Sequence, residues 1–191
     1  EESGVVIAYA SVYGNTKKAA QYLADKLSKS GQKTVLYDLA RCDKAAAIAD
    51  AFRYDKLVLA GITYNGDLFP CMRAYIEGLT ERSYQNRRVA VIENGTWAPM
   101  AAKLIRGMFE KSKDIAFTDT NITIKSAMNA QNRAELDKLA RELTADEMEA
   151  VHTIIGAMVK MAGTPRGNDK MIDGGNAHFF QTMNNVIDNC G

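Results

Sequence analysis

Cysteine is scarce in this sequence: Cys42, Cys71 and Cys190 are widely spaced and odd in number. That pattern argues against a disulfide framework or a zinc site and points to reduced thiols in a cytoplasmic protein. Neither sign of charge is in excess. A formal net charge of +1 excludes a general nucleic-acid or membrane-surface binder. No apolar run is long enough to span a bilayer, and nothing at the start reads as a signal peptide. Tryptophan occurs once, at Trp97, and histidine twice, at His152 and His178. A lone tryptophan is more often packing than ligand contact, and an isolated His178 reads as surface or packing rather than as a metal ligand.

What is present is the composition of an ordinary globular chain, 47% hydrophobic and 25% charged. Its 191 residues suffice for one domain, or one with an appendage, and a sizeable core. Val5 to Ala10 reads as a buried strand, and from Lys17 onward Ala19, Ala20, Leu23, Ala24 and Leu27 recur at helical spacing, with Gly31 as the stop. Lys33 to Tyr37 offers a second strand, and Asp43 caps a helix through Ala45, Ile48, Ala49 and Phe52. Lys56 to Ala60 is apolar enough for a strand covered on both faces. Pro70 opens a helix that runs to Arg82, Arg88 to Ile92 is a fourth strand, and Pro99 opens a helix through Phe109. Asn121 to Lys125 and Arg133 to Leu143 supply a fifth strand and helix. This alternation predicts an α/β fold: a doubly wound, five-stranded parallel sheet with helices on both faces. Ligands of such sheets bind beyond the carboxyl ends of the strands.

Three unusual loops leave those ends. The first is Ser11-Val12-Tyr13-Gly14-Asn15-Thr16, between the first strand and its helix. Gly14 permits a tight turn, Ser11 and Thr16 offer hydroxyls, Asn15 offers an amide, and the helix start offers backbone N–H groups, so the spot suits a phosphate. Taken alone, the loop reads equally well as an ordinary strand-to-helix turn with Thr16 as N-cap. The second loop, Gly61 to Pro70, contains Thr63-Tyr64-Asn65-Gly66 and is either a binding loop or a plain connection with an Asn-Gly turn. The third, Glu93-Asn94-Gly95-Thr96-Trp97-Ala98-Pro99, brings Trp97 to the same edge of the sheet.

Together these three motifs resemble flavodoxin-like FMN domains and, more narrowly, the carboxyl-terminal flavodoxin domain of flavodiiron proteins, also called A-type flavoproteins. The resemblance covers Val5 to Leu143. The first motif is common to many flavodoxins, and its combination with Tyr-Asn-Gly and Asn-Gly-Thr-Trp-Ala-Pro is much more specific. It implies that Ser11, Val12, Tyr13, Gly14, Asn15 and Thr16 hold the FMN phosphate. It further implies that Thr63, Tyr64, Asn65 and Gly66 line one side of the isoalloxazine ring, and Asn94, Gly95, Thr96 and Trp97 the other. Similar proteins often carry proline where this chain has Ile62, so the loop after the third strand is expected to take its own path.

The implied function is an electron-transfer module that relays electrons through FMN to a redox partner. In flavodiiron proteins that partner is a di-iron domain or subunit of metallo-β-lactamase-like fold, which reduces dioxygen or nitric oxide, and the donor is a rubredoxin or a flavin reductase. This chain has no His-x-Glu-x-Asp run, so neither a metal site nor a catalytic residue is assigned to it. Its start at Glu1 reads as the point where an upstream domain was removed, although a trimmed tag leaves the same trace. A balanced charge fits a flavin that serves a tethered or subunit partner. The alternative is a stand-alone NAD(P)H-dependent FMN reductase of the quinone- or flavin-reducing type. A receiver-type signalling domain needs an acidic cluster after the first strand, which Ser11-Val12-Tyr13 does not provide.

The domain division read from the sequence is 1–145 for the FMN-binding domain and 146–191 for a helical extension. In that extension Met148, Val151, Ile154, Ile155, Met158, Val159 and Met161 make a further helix ending near Gly163 and Pro165. Thr164 to Gly175 reads as a linker and Asn176 to Asn189 as a short helix. A docking element, a homo-oligomer contact and the start of another domain all remain open for this segment.

Overall fold

The computed structural model describes residues 1–96 and 99–162. In chain order its elements are β1 (Glu2–Tyr9), α1 (Asn15–Lys29), β2 (Thr34–Asp38), α2 (Lys44–Arg53), β3 (Tyr54–Tyr64), β4 (Asp67–Leu68), α3 (Pro70–Thr80), β5 (Arg87–Asn94), α4 (Ala101–Met108), β6 (Ile115–Phe117), β7 (Ile122–Ile124) and α5 (Ala130–Ala162). Trp97, His178, Cys190 and the expected linker and short helix beyond residue 163 lie outside the described residues.

β1 and β3 are apolar along most of their length because helices cover both faces of the sheet. Alternate residues serve opposite faces. Val6, Ala8, Leu57, Leu59, Val89 and Val91 pack with Met72, Ile76 and Ile105. Val5, Ile7, Val58, Ala60, Ala90 and Ile92 pack with Leu23 and Leu27 of α1 and Leu136, Leu139 and Leu143 of α5. The strand order is β2-β1-β3-β5-β6, with β1 parallel to both β2 and β3. The chain therefore moves to one side of β1 and then back to the other, which opens a crevice at the carboxyl ends of β1 and β3. The expected doubly wound parallel sheet is present.

Several boundaries differ from the sequence reading for identifiable reasons. α1 begins at Asn15 rather than Lys17, because Gly14 in the left-handed region (φ 86°) is its N-cap, and Thr16, expected in that role, is buried in the first turn. β3 runs to Tyr64 rather than ending at Ala60, since Ile62 continues the parallel ladder opposite Asn94. The fifth sheet position is shared by two short strands, β6 beside the start of β5 and β7 beside its end. β6 has three residues, too few for a periodicity to show. α4 starts at Ala101, two residues after Pro99, and α5 is longer than Arg133 to Leu143.

The chain divides into two compact units, the first Glu1–Glu149 and the second beginning at Ala150. The described part of the second is helical to Ala162, with Ile154 and Met158 exposed.

At the end of the sheet opposite the crevice, the buried Arg87 guanidinium joins the starts of β3 and β5 to the end of α2 and to the turn before β5. Its Nε donates to the Tyr54 carbonyl (3.0 Å), Nη2 to that of Phe52 (2.6 Å), and Nη1 to those of Gln85 and Asn86 (both 3.1 Å). It also pairs with the Glu1 carboxylate and lies over the Tyr84 ring at 5.7 Å. Arg87→Ala leaves these carbonyls unpaired and is expected to lower unfolding free energy by about 3 kcal/mol in a denaturant titration. Arg87→Lys recovers less than half of that, because an ammonium lacks the planar fork.

Glu142 of α5 ties down the excursion between β6 and β7, its carboxylate accepting from the N–H of Asp119 (2.7 Å) and Thr120 (3.1 Å). Burial pushes this carboxyl up, but the hydrogen bonds from Thr120 and Asp119 and the nearby Arg88 charge outweigh it, leaving the group below its ordinary range. A carboxyl depressed in the folded state contributes stability above its unfolded pKa of about 4.3, and that contribution is lost as pH falls through the folded value. Glu142→Gln is expected to flatten the drop in Tm between about pH 5 and pH 3.

Candidate functional site

The crevice is built first by the turn after β1. The Ala10 N–H donates to the Ala60 carbonyl (3.0 Å), which seats the start of the turn beside β3. The Ser11 Oγ accepts from the Gly14 N–H at 3.1 Å, so the hydroxyl proton of Ser11 is left to donate elsewhere. α1 then starts with no side-chain capping bond and no acidic residue in its first turn. α3 likewise has no side-chain cap, its first position being taken by Pro70, whereas the other three helices contrast with this. Asp43 accepts from Ala45 N–H at α2 (2.9 Å), Glu93 from Ala102 N–H at α4 (3.0 Å), and Asn129 from Asn132 N–H at α5 (2.8 Å). The first N–H groups of α1 and the positive end of its dipole are thus turned to the crevice with no protein acceptor among the described residues. Such a terminus takes an anion.

One wall comes from the end of β3. Thr63 and Tyr64 pair antiparallel with Leu68 and Asp67, closing a hairpin over Asn65 (φ 51°) and Gly66 (φ 75°), the backbone of a type I′ turn. Asn65 and Gly66 make this turn and do not line the cavity. Arg73 pairs with Asp67 and holds its carboxyl below the ordinary range, which pins the hairpin to α3. Tyr64 is half exposed and meets Phe69 edge-on at 5.6 Å. Ile62, where similar sequences turn with proline, keeps its place in the ladder, accepts from Phe69 N–H (3.2 Å), and lines the cavity.

The opposite wall leaves β5. Asn94 is buried, and its amide spans the Ser126 backbone, Oδ1 accepting from Ser126 N–H (3.1 Å) and Nδ2 donating to the Ser126 carbonyl (3.0 Å). Its side chain therefore builds the wall. Ser126 is held in the left-handed region at φ 72°, and Gly95 N–H donates to the Ile124 carbonyl (3.0 Å). Thr63 Oγ1 accepts from Met100 N–H (3.0 Å), joining the two walls.

The open cavity between the walls measures about 380 Å³. It is lined by Ser11, Val12, Tyr13, Asn15 and Thr16 from the first loop, by Thr63 and Tyr64 from the second, and by Asn94, Gly95 and Thr96 from the third. Among the described residues no charged side chain lines it. Gly14 shapes the turn without lining the space, and Trp97 lies outside the described residues. Ile62, noted from the sequence only as a departure from proline, and Ser126, not singled out at all, complete the lining. Ser126 was findable, because it follows the fifth strand at the same sheet edge. Tyr13 (92% exposed) and Val12 (52%) stand at the mouth.

A second cavity, about 470 Å³, lies beside the ends of α3 and α4 near Tyr84, Met108 and Lys113. It is larger but lies away from all three loops. Cys42 and Cys71 are partly buried, and burial pushes both thiols up, away from reactive thiolate character. Among the described residues no cluster of three or more His, Cys, Asp or Glu is placed to hold a metal ion, and no helix is long and apolar enough to cross a membrane.

The flavodoxin domain family matches residues 6–165 of this chain. An anaerobic nitric oxide reductase flavorubredoxin of Aeromonas hydrophila is 23% identical over 158 residues, covering 78% of this chain and 31% of that protein. Its counterpart in Aeromonas salmonicida is also 23% identical, over 81% of this chain and 30% of its own. The chain spans about a third of the length of these relatives. Among solved structures, rubredoxin oxygen:oxidoreductase of Desulfovibrio gigas superposes with a TM-score of 0.70 at 17% identity, covering 75% of this chain and 35% of that one. A flavodoxin of Streptococcus pneumoniae TIGR4 does so with a TM-score of 0.66 at 21% identity, over 75% of this chain and 99% of its own.

The geometry at α1 makes a direct prediction. Titration with inorganic phosphate is expected to shift the backbone amide resonances of residues 14–17 and to leave Ala45, at the capped start of α2, unmoved.

Proposed function

The chain belongs to the flavodoxin domain family, with flavodiiron proteins among its relatives, and on that premise we propose that it binds FMN non-covalently between its three loops and relays electrons to a protein partner. FMN is the cofactor that membership of this family implies. The observation that carries the reading is the amino terminus of α1, uncapped by any side chain and opening on a cavity with no charged lining among the described residues.

The donor set fits the cofactor. Backbone N–H groups of the first turn, the Ser11 and Thr16 hydroxyls and the Asn15 amide supply hydrogen bonds and dipoles for a phosphate, with no cationic side chain needed. Ile62, Thr63 and Tyr64 form one side for a planar ring, and Gly95 and Thr96 the other. Trp97 remains assigned to the ring side on its sequence position alone. When bound, FMN supplies one- and two-electron chemistry. The chain's part is to orient the ring, limit its contact with water and set its electrostatic surroundings through neutral walls.

The partner in this reading is a di-iron domain or subunit, supplied with electrons through a rubredoxin or flavin reductase. The support is that the relatives include a flavorubredoxin nitric oxide reductase, a rubredoxin oxygen:oxidoreductase and a flavo di-iron protein of Thermotoga maritima. Each is much longer than the part this chain matches.

The test is reconstitution with FMN, followed by anaerobic titration. A stoichiometric flavin spectrum bleached by dithionite but not by NADH alone is expected. Rapid bleaching by NADH would instead mark a stand-alone reductase, and failure to retain flavin would overturn the site. Ser11→Ala is expected to weaken FMN by about tenfold or more, the loss of one hydrogen bond to a charged group, and to leave riboflavin binding unchanged.

A further inference from the structure

The wall that leaves β5 is fixed by two consecutive side chains pointing to opposite faces of the sheet. Asn94 shares a face with Ile92, toward α1 and α5, and grips Ser126. Glu93 shares a face with Val89 and Val91, toward α3 and α4. Its carboxylate is half-buried and takes one donor with each oxygen: Oε2 accepts from Ala102 N–H (3.0 Å), and Oε1 from the Thr123 hydroxyl (2.8 Å). Met100, the residue flanking α4, makes no side-chain cap, and the first turn of α4 carries no acidic residue. Glu93 is therefore the anion at the positive end of α4, reaching it from the strand rather than from the helix itself.

Residues 94–96 are the ring-side wall in the FMN reading, and Glu93 sets where the chain re-enters at Met100 and α4. Gly95 at its start lies against Pro99 at its end, since a Cβ built on Gly95 would meet the Pro99 Cβ at 3.4 Å. Thr63 takes the next donor along, Met100 N–H. The end of this segment is thus held by β3 through Thr63 and by β5 and β7 through Glu93, the N–H of the flanking Met100 and that of Ala102 in the first turn each given one side-chain acceptor.

We propose that Glu93 is the positioning residue of the ring-side wall: by fixing the amino terminus of α4 against β5 and β7 it sets the gap between residues 62–64 and 94–96 in which the FMN ring is held, without touching the cofactor. This rests on the FMN reading given above. It separates two functions within one site, the α1 loop serving the phosphate and Glu93 serving the ring.

The test measures FMN and riboflavin dissociation constants, with Tm, for the wild-type chain, Glu93→Ala, Glu93→Gln and Thr123→Val. Glu93→Ala is expected to weaken FMN and riboflavin by the same factor, about tenfold, so that the ratio of the two affinities stays at the wild-type value. Glu93→Gln keeps an oxygen for Ala102 N–H and an amide that donates to the Thr123 oxygen, and is expected within about threefold of wild type for both ligands. Riboflavin binding unchanged in Glu93→Ala, a changed FMN-to-riboflavin ratio, or a Glu93→Gln loss as large as that of alanine each overturns the proposal. If Glu93→Ala does not fold, Thr123→Val decides: removing one of the two donors is expected to weaken riboflavin about threefold, and unchanged binding overturns the proposal. Wild-type chain that binds neither flavin overturns the FMN reading, and this inference with it.

Discussion

The structure depends on a constraint at the first turn of α1: backbone N–H groups that have no acceptor within the helix must find one elsewhere. In α2, α4 and α5 a side chain supplies it, from Asp43, Glu93 and Asn129 respectively. At α1 the residue in the capping position is Gly14, which has no side chain to offer, and the neighbouring Ser11 hydroxyl oxygen is taken by the Gly14 N–H itself. The donors are left for a ligand, and the sheet delivers them to one place. β1 is held between β2 and β3, buried on both faces, so its carboxyl end is fixed relative to that of β3. The reversal of strand order at β1 then puts a crevice, rather than a packed crossover, in front of α1.

The walls of that crevice are built by polar side chains that spend their hydrogen bonds on the protein. Asn94 gives both ends of its amide to Ser126, Thr63 accepts from Met100, and Glu93 accepts from Ala102 and Thr123. Each ties the carboxyl end of one strand to a neighbouring loop, helix start or strand. The surface facing the cavity is made of hydroxyls, amides and the Val12, Tyr13, Ile62 and Tyr64 side chains, and among the described residues it carries no charge. A neutral wall suits a ring whose charge changes on reduction, because stabilisation of either state is then set by fine placement of dipoles rather than by a nearby ion.

Much of this was legible in the sequence. The apolar runs of β1, β3 and β5 read as strands, that of β3 as one covered on both faces, and the amphipathic spacing of Leu23 and Leu27 read as a helix, because a doubly covered sheet leaves a strong pattern in both. The three loops were recognisable because Gly, Asn and Thr cluster where a strand ends. Tertiary context hid the rest. Nothing local to Ser126 marks its left-handed backbone, which Asn94 imposes from 32 residues away. The loop at Asn65 and Gly66 read from the sequence either as a binding loop or as a plain Asn-Gly turn, and the pairing of β3 with β4, which forms the turn, was not foreseen. The role of Glu93 depends on a hydrogen bond to the helix that follows the loop, which no spacing rule encodes.

The central claim is that the α1 terminus, with neutral donors only, holds a phosphate. The most direct measurement is the ³¹P resonance of FMN bound to this chain, followed through the range in which a free phosphate monoester takes up its second proton, near pH 6. Donors that favour the doubly charged form push that protonation down, so the bound resonance is expected to stay constant through this range. A resonance that moves with pH as it does for free FMN would put the phosphate in solvent and contradict the claim.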